Sequence, residues 1–138
     1  MKKYIIIIGC LFSLNAIAQS TPSSKLLSFN EAKNISKTQN KPIVLYYTDS
    51  KDCDACDKTN ATFFASEAYK TIANKVVLVV IDEENKTVPE WRLISHYNKT
   101  QTFPSLVTVD YNGRQLGNHI TKFDNATIKE YITFLNTL

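Results

Sequence analysis

Two stretches of the chain are apolar without interruption: Ile43-Val44-Leu45-Tyr46-Tyr47-Thr48 and Val76-Val77-Leu78-Val79-Val80-Ile81. Neither alternates apolar with polar positions, so each suits a β-strand buried on both faces. Elsewhere the pattern is helical. Ser28-Phe29-Asn30-Glu31 forms a capping box, in which the serine side chain and the glutamate satisfy each other's free backbone donors, and a helix is predicted from there to about Gln39. Lys41-Pro42 then leads into the first strand. Ala55 to about Lys75 has helical composition, with a bend and a restart at Ser66-Glu67, which makes a strand, helix, strand unit of the parallel kind. Pro89 to Tyr97 predicts a short helix, with Trp91, Ile94 and Tyr97 recurring at helical spacing. Ser105 to Tyr111 and Gln115 to Ile120 flank Asn112-Gly113, the signal of a tight antiparallel hairpin. Asp124 is placed to cap a last helix lined by Ile128, Ile132 and Leu135. The order α, β, α, β, α, β, β, α defines an α/β domain, a mixed sheet with helices on both faces.

The first residues stand outside this pattern. Lys2 and Lys3 precede the apolar run Tyr4 to Leu14 and the small-residue triplet Ala16-Ile17-Ala18, the layout of a secretory signal peptide cleaved after Ala18. Ile7-Ile8-Gly9-Cys10 resembles a bacterial lipobox, but the apolar stretch before Cys10 is unusually short for one, which favours a cleaved product over a lipid-anchored one. The expected organisation is a signal peptide at 1–18, a flexible polar leader at 19–27 and one domain at 28–138, in the periplasm or outside a bacterial cell. The chain's 138 residues suffice for one domain with a sizeable core. Removal of Lys2 and Lys3 takes the formal charge of +3 down to +1 (3 − 2), which points to neither nucleic acid nor an anionic membrane as partner.

The same cut removes Cys10 and leaves Cys53 and Cys56 in an oxidising compartment, as a disulfide or a redox-active dithiol. Cys-x-x-Cys by itself also fits half of a zinc site. No second cysteine pair is present, however, and His96 and His119 have no ligand spacing. Asp57 occupies the place of the histidine in a haem-attachment motif. The pair sits between a buried strand and the start of a helix. There the unpaired N–H groups and the macrodipole favour a thiolate at Cys53. Cys56, one turn on, can attack a mixed disulfide and release the product. Cys53 is thus the expected nucleophile and Cys56 the resolving, more buried thiol. No cofactor is implied, because the chemistry resides in the two sulfurs.

With these cysteines and Thr102-Phe103-Pro104-Ser105-Leu106, the chain resembles the thioredoxin superfamily over about residues 28 to 138, in particular secreted bacterial thioredoxin-like proteins. The resemblance implies a three-layer α/β/α sandwich with a mixed central sheet. It also implies a cis peptide bond before Pro104, with the backbone of Phe103 exposed to pair with an extended substrate. Two positions depart from the family. Asp52 stands where a tryptophan commonly precedes the first cysteine, and Tyr46 where a buried acid lies in the preceding strand, so the proton of Cys56 needs another acceptor, water or Tyr46.

Asp52, Asp54 and Asp57 crowd the motif, each opposing a thiolate by under ~1 kcal/mol, and the helix terminus returns ~0.3–1 kcal/mol or up to ~2. A thiol near its ordinary acidity follows, which favours a reductant over a strong oxidant. The expected activity is a disulfide reductase acting on exported proteins that carry disulfides or dithiols, recharged by a membrane electron donor. A binding or assembly module with a structural Cys53–Cys56 disulfide, and a disulfide oxidase or isomerase, are the alternatives. Tyr46, Tyr47, Phe63, Phe64 and Trp91 read as core and rim aromatics, Lys51 and Lys58 as solvated charges. Asn34, Asn60, Asn85, Asn98 and Asn125 each open an Asn-x-Ser/Thr triplet, as chance allows in an Asn- and Thr-rich chain.

Overall fold

The computed structural model describes residues 26–138; the expected signal peptide, Cys10 and most of the leader lie outside the described residues. The elements follow the order expected from sequence: α1 (Phe29–Gln39), β1 (Ile43–Thr48), α2 (Asp54–Thr59), a π-helical turn (Asn60–Phe64), α3 (Glu67–Ala73), β2 (Val77–Asp82), α4 (Val88–Tyr97), β3 (Ser105–Val109), β4 (Gln115–Ile120) and α5 (Asn125–Leu135). The strands form one sheet in the order β2-β1-β3-β4. β1 pairs parallel with β2 and antiparallel with β3, and β3 pairs antiparallel with β4, so the sheet is mixed.

The uninterrupted apolar run of β1 is explained by two cores. Ile43, Leu45 and Tyr47 face one cluster, with Ala32 of α1 and Ile94 of α4. Val44 and Tyr46 face the other, with Phe63 of the π turn, Ile72 of α3 and Tyr131 and Leu135 of α5. All six residues of β1 are buried. Each large apolar side chain so enclosed stabilises the fold by about 1.5–3 kcal/mol relative to exposure. β2 lies at the sheet edge and its burial alternates, unlike the both-faces burial its sequence predicts. An edge strand has a neighbour on one side only, which leaves Leu78 and Val80 half-buried. Leu27, assigned by sequence to the leader, packs against the first core.

The predicted ends of elements have their physical causes in place. Ser28 and Glu31 form the reciprocal capping box of α1, and Asn40 ends that helix in the left-handed region at φ 51°. Thr87 and Glu90 form a second such box at the start of α4, with Pro89 in its first turn. The helical segment after the cysteines is broken, as Ser66-Glu67 predicts. The π turn ends at Phe64, the Ser66 hydroxyl donates to the Phe63 carbonyl at 2.6 Å and accepts from the Tyr69 N–H at 3.0 Å, and α3 restarts. The Asn112-Gly113 hairpin forms with a wider turn than a two-residue loop. Asp110 N–H donates to the Arg114 carbonyl, its carboxylate accepts from the Asn112 and Arg114 N–H groups at 2.9 Å, and Gly113 takes φ +86°.

Candidate active site

β1 ends at Thr48 and delivers the chain to a loop, Asp49 to Asp52, that stops at the N-cap of α2. The N-cap is Cys53. Its sulfur accepts the N–H of Cys56 at 3.1 Å, the capping contact usually made by a serine or aspartate oxygen. Cys53 and Cys56 are joined as a disulfide, with Cα atoms 5.2 Å apart. Cys53 is half-buried, whereas Cys56 is only 1% exposed, so an incoming group meets Cys53 first. Asp54 and Asp57 lie in the first turn of α2 and are exposed, as is Asp52.

The second landmark lies across from the first. The Phe103–Pro104 bond is cis. Pro104 and Ser105 are buried, and Phe103 is half-buried just ahead of β3, whose Ser105 pairs with Tyr47. A cleft of about 430 Å³ brings Phe103 and Pro104 together with Ala55, Lys58 and Thr59 of α2, so residues 103–104 and the cysteine helix share one surface feature.

Tyr46 occupies the second core, 2% exposed, its ring 4.6 Å from that of Phe64. Its hydroxyl makes no hydrogen bond of normal geometry, although the Thr48 side chain and Asp57 are near enough to act on it electrostatically. Burial, reinforced by the Asp57 charge and opposed by Thr48, pushes this phenol above its ordinary value of 10.0. It therefore stays neutral at physiological pH and is poorly suited to take up a proton as a base.

Two residues that sequence reading passes over hold the site in shape. Asp82, at the end of β2, accepts from the Ser50 N–H at 2.9 Å, the Ser50 hydroxyl at 2.7 Å and the Asn85 amide at 2.7 Å. Partial burial disfavours the charged form and pushes its pKa up, but these bonds and one from the Glu84 N–H outweigh it and hold the carboxyl below its usual 3.8. The loop entering Cys53 is thereby tied to the neighbouring strand. Asn98, just after α4 and fully buried, donates to the Thr102 carbonyl at 3.0 Å and accepts from the Thr102 N–H at 3.1 Å. It pins the residue next to Phe103, while Gln101 between them takes the left-handed φ of 49°. Asp82 followed by a polar turn was the available signal for the first clamp. Asn98, read as part of a chance Asn-x-Thr triplet, offered none.

A fold of this topology, with Cys-x-x-Cys capping a helix beside a cis-proline, defines a thioredoxin-like protein. The family model for the thioredoxin-like domain matches residues 29–132, and the chain belongs to that family. It is similar to the solved structure of DsbH oxidoreductase, at 26% identity and a TM-score of 0.69, over 91% of this chain and 96% of that one. A thioredoxin from Thermus thermophilus (16% identity, TM-score 0.59, covering 78% and 80%) and a disulphide isomerase from Xylella fastidiosa Temecula1 (18%, 0.57, 90% and 99%) share the fold. No curated protein sequence matches the chain.

Proposed function

We propose that this chain is an exported thiol-disulfide oxidoreductase that works as a reductase of disulfides in other exported proteins. The observation that carries the reading is the unequal pair at the head of α2: a reachable Cys53 whose sulfur accepts an amide N–H, and a buried Cys56 one turn away. In the reduced protein that N–H is available to a Cys53 thiolate, which attacks a substrate disulfide and expels one of its sulfurs as a thiolate. Cys56 then attacks Cys53, reforms the intramolecular disulfide and frees the second sulfur, so two electrons pass from the pair to the substrate. A membrane electron donor would return them. The cis-Pro104 cleft supports docking of an extended segment at Phe103.

The reductase direction rests on charge. Asp54 and Asp57 in the first turn offset the helix terminus, so the reduced form gains little from thiolate stabilisation. The test is the reduction potential of the couple in glutathione or dithiothreitol buffers, with Cys56→Ser to trap mixed disulfides. A value near or below about −270 mV with trapping on Cys53 supports the reductase, and one near about −120 mV transfers the protein to the oxidases. A bond that resists physiological reductants and traps nothing makes the pair a structural staple. Export is tested separately by the mass of the mature protein, expected to begin at Gln19.

A further inference from the structure

The cleft at Pro104 does not end at the redox site. Thr62 and Phe123 line it and also line a second hollow of about 360 Å³ between the π turn and α5, so the two form one continuous groove. Phe63 and Phe123, with ring centroids 6.1 Å apart, both line the hollow. Besides Phe63, the side formed by the π turn and the start of α3 carries small side chains, Thr62, Ser66 and Ala68; Ile128 and Ile132 of α5 lie on the other. The hollow thus holds an apolar cluster, Phe63, Phe123, Ile128 and Ile132, set among hydroxyl and amide side chains, and the lining carries two cations, Lys58 in the first part and Lys129 in the second. Neither ammonium has a side-chain partner among the described residues. Asp124, the one carboxylate in the lining, is engaged by the N–H and hydroxyl of Thr127 as the cap of α5. Asp52, Asp54 and Asp57 do not line the groove.

We propose that this groove is a specificity subsite for the redox partner: it seats a bulky apolar side chain of the partner's polypeptide, accompanied by a carboxylate, a short distance from the reacting cysteine. The proposal rests on the oxidoreductase reading above. Spacing follows from geometry. Ala55, beside Pro104, and Thr62, at the junction, are seven residues apart along the helical segment, about 10 Å at 1.5 Å per residue. Extended chain covers that in about three residues at ~3.3 Å each. The anchor therefore lies about three or four residues from the partner's cysteine, on one side of it. An apolar anchor gains from leaving water, and a neighbouring Asp or Glu meets Lys58 or Lys129.

The test uses reduced protein and synthetic peptides whose single cysteine is linked to thiopyridine. Attack by Cys53 on the peptide sulfur expels thiopyridone, which is read by absorbance, and Cys56 then releases the peptide thiol. A peptide with Leu-Asp three and four residues from the cysteine should react about tenfold faster than one with Ala-Lys there. The gain should appear on the N-terminal or the C-terminal side, not both. Lys129→Glu and Thr62→Trp, both at exposed positions, should cut that ratio at least threefold, while attack on the small neutral dipyridyl disulfide stays unchanged. Equal rates for all peptides would overturn the groove and leave the reductase standing. A protein that attacks none of the probes faster than free glutathione would overturn the reductase, and the groove with it.

Discussion

Asp82 and Asn98 each hold one loop of the redox site by gripping its main chain, yet they do so in opposite surroundings. Asp82 is an ionised carboxylate that solvent reaches, and it fixes Ser50 ahead of Cys53. Asn98 is a neutral amide sealed from water, and it fixes Thr102 ahead of Phe103 and Pro104. The loop ahead of Cys53 is thus held by a contact that water and protons can weaken, whereas the turn ahead of Phe103 and Pro104 is held by one they cannot reach. On the function proposed above, a platform that presents a fixed backbone edge to a substrate needs the stiffer clamp. The loop beside a sulfur that forms and breaks bonds has the softer one.

The largest effect separating the two comes from Asn98→Ala, which leaves the Thr102 N–H and C=O without their partner and opens a void. We expect a loss of about 2–4 kcal/mol in urea unfolding, together with a loss of mixed-disulfide trapping by a Cys56→Ser background. Unchanged trapping would show that the platform does not depend on this clamp. Asp82→Asn should cost about 1 kcal/mol, because water replaces part of what is lost at a solvated site. It should also raise amide exchange at Ser50 and leave Thr102 untouched.

The pH dependence sharpens the contrast further. The Asp82 carboxyl titrates below its ordinary 3.8 in the folded chain. Its contribution is therefore whole above that value and is lost as pH falls through the folded one. In unfolding titrations between pH 2 and 6 (a range of about 4 units spanning the carboxylate region), the part of the acid slope removed by Asp82→Asn should lie below about pH 4. Mutation at Asn98 should leave the slope as it is. The smallest expected change is for Tyr46→Phe: removing an unpartnered hydroxyl should shift stability by less than about 1 kcal/mol, in the stabilising direction. A slower release of mixed disulfide by Cys56 in that variant would assign the hydroxyl a role in the chemistry.

Which of these residues could be read from sequence depends on how local their interactions are. The Ser28–Glu31 box, the cysteine pair at a helix start and the Asn112-Gly113 hairpin are all closed within a few residues, and the pattern of side chains contains them, although the wider Asp110–Arg114 closure of that turn is seen only in the structure. β1 was legible because a strand between two cores carries no polar alternation. The edge position of β2 was not, because an apolar strand has the same composition whether it has one neighbour or two. Ser50 and Asp82 are 32 residues apart, and only strand pairing brings them together. Tyr46 was placed beside the motif by resemblance alone; that its hydroxyl lacks a partner is a property of packing that no local pattern encodes. The hollow beside α5 likewise depends on where two distant helices diverge.

The spacing of the clamps also bears on the order in which the site assembles. Asn98 and Thr102 are four residues apart, so their contact can close while most of the chain is still open. Bringing Ser50 to Asp82 closes a loop eight times longer, at an added entropic cost of about 2 kcal/mol, and awaits the alignment of β1 with β2. A refolding chain should accordingly protect the Thr102 amide from hydrogen exchange before the Ser50 amide, and the reverse order in pulse labelling would refute this. The turn ahead of Phe103 is then set before the loop ahead of Cys53, so a newly made molecule passes through a stage in which one wall of the cleft is in place and the cysteine helix that forms the other is still to be fixed.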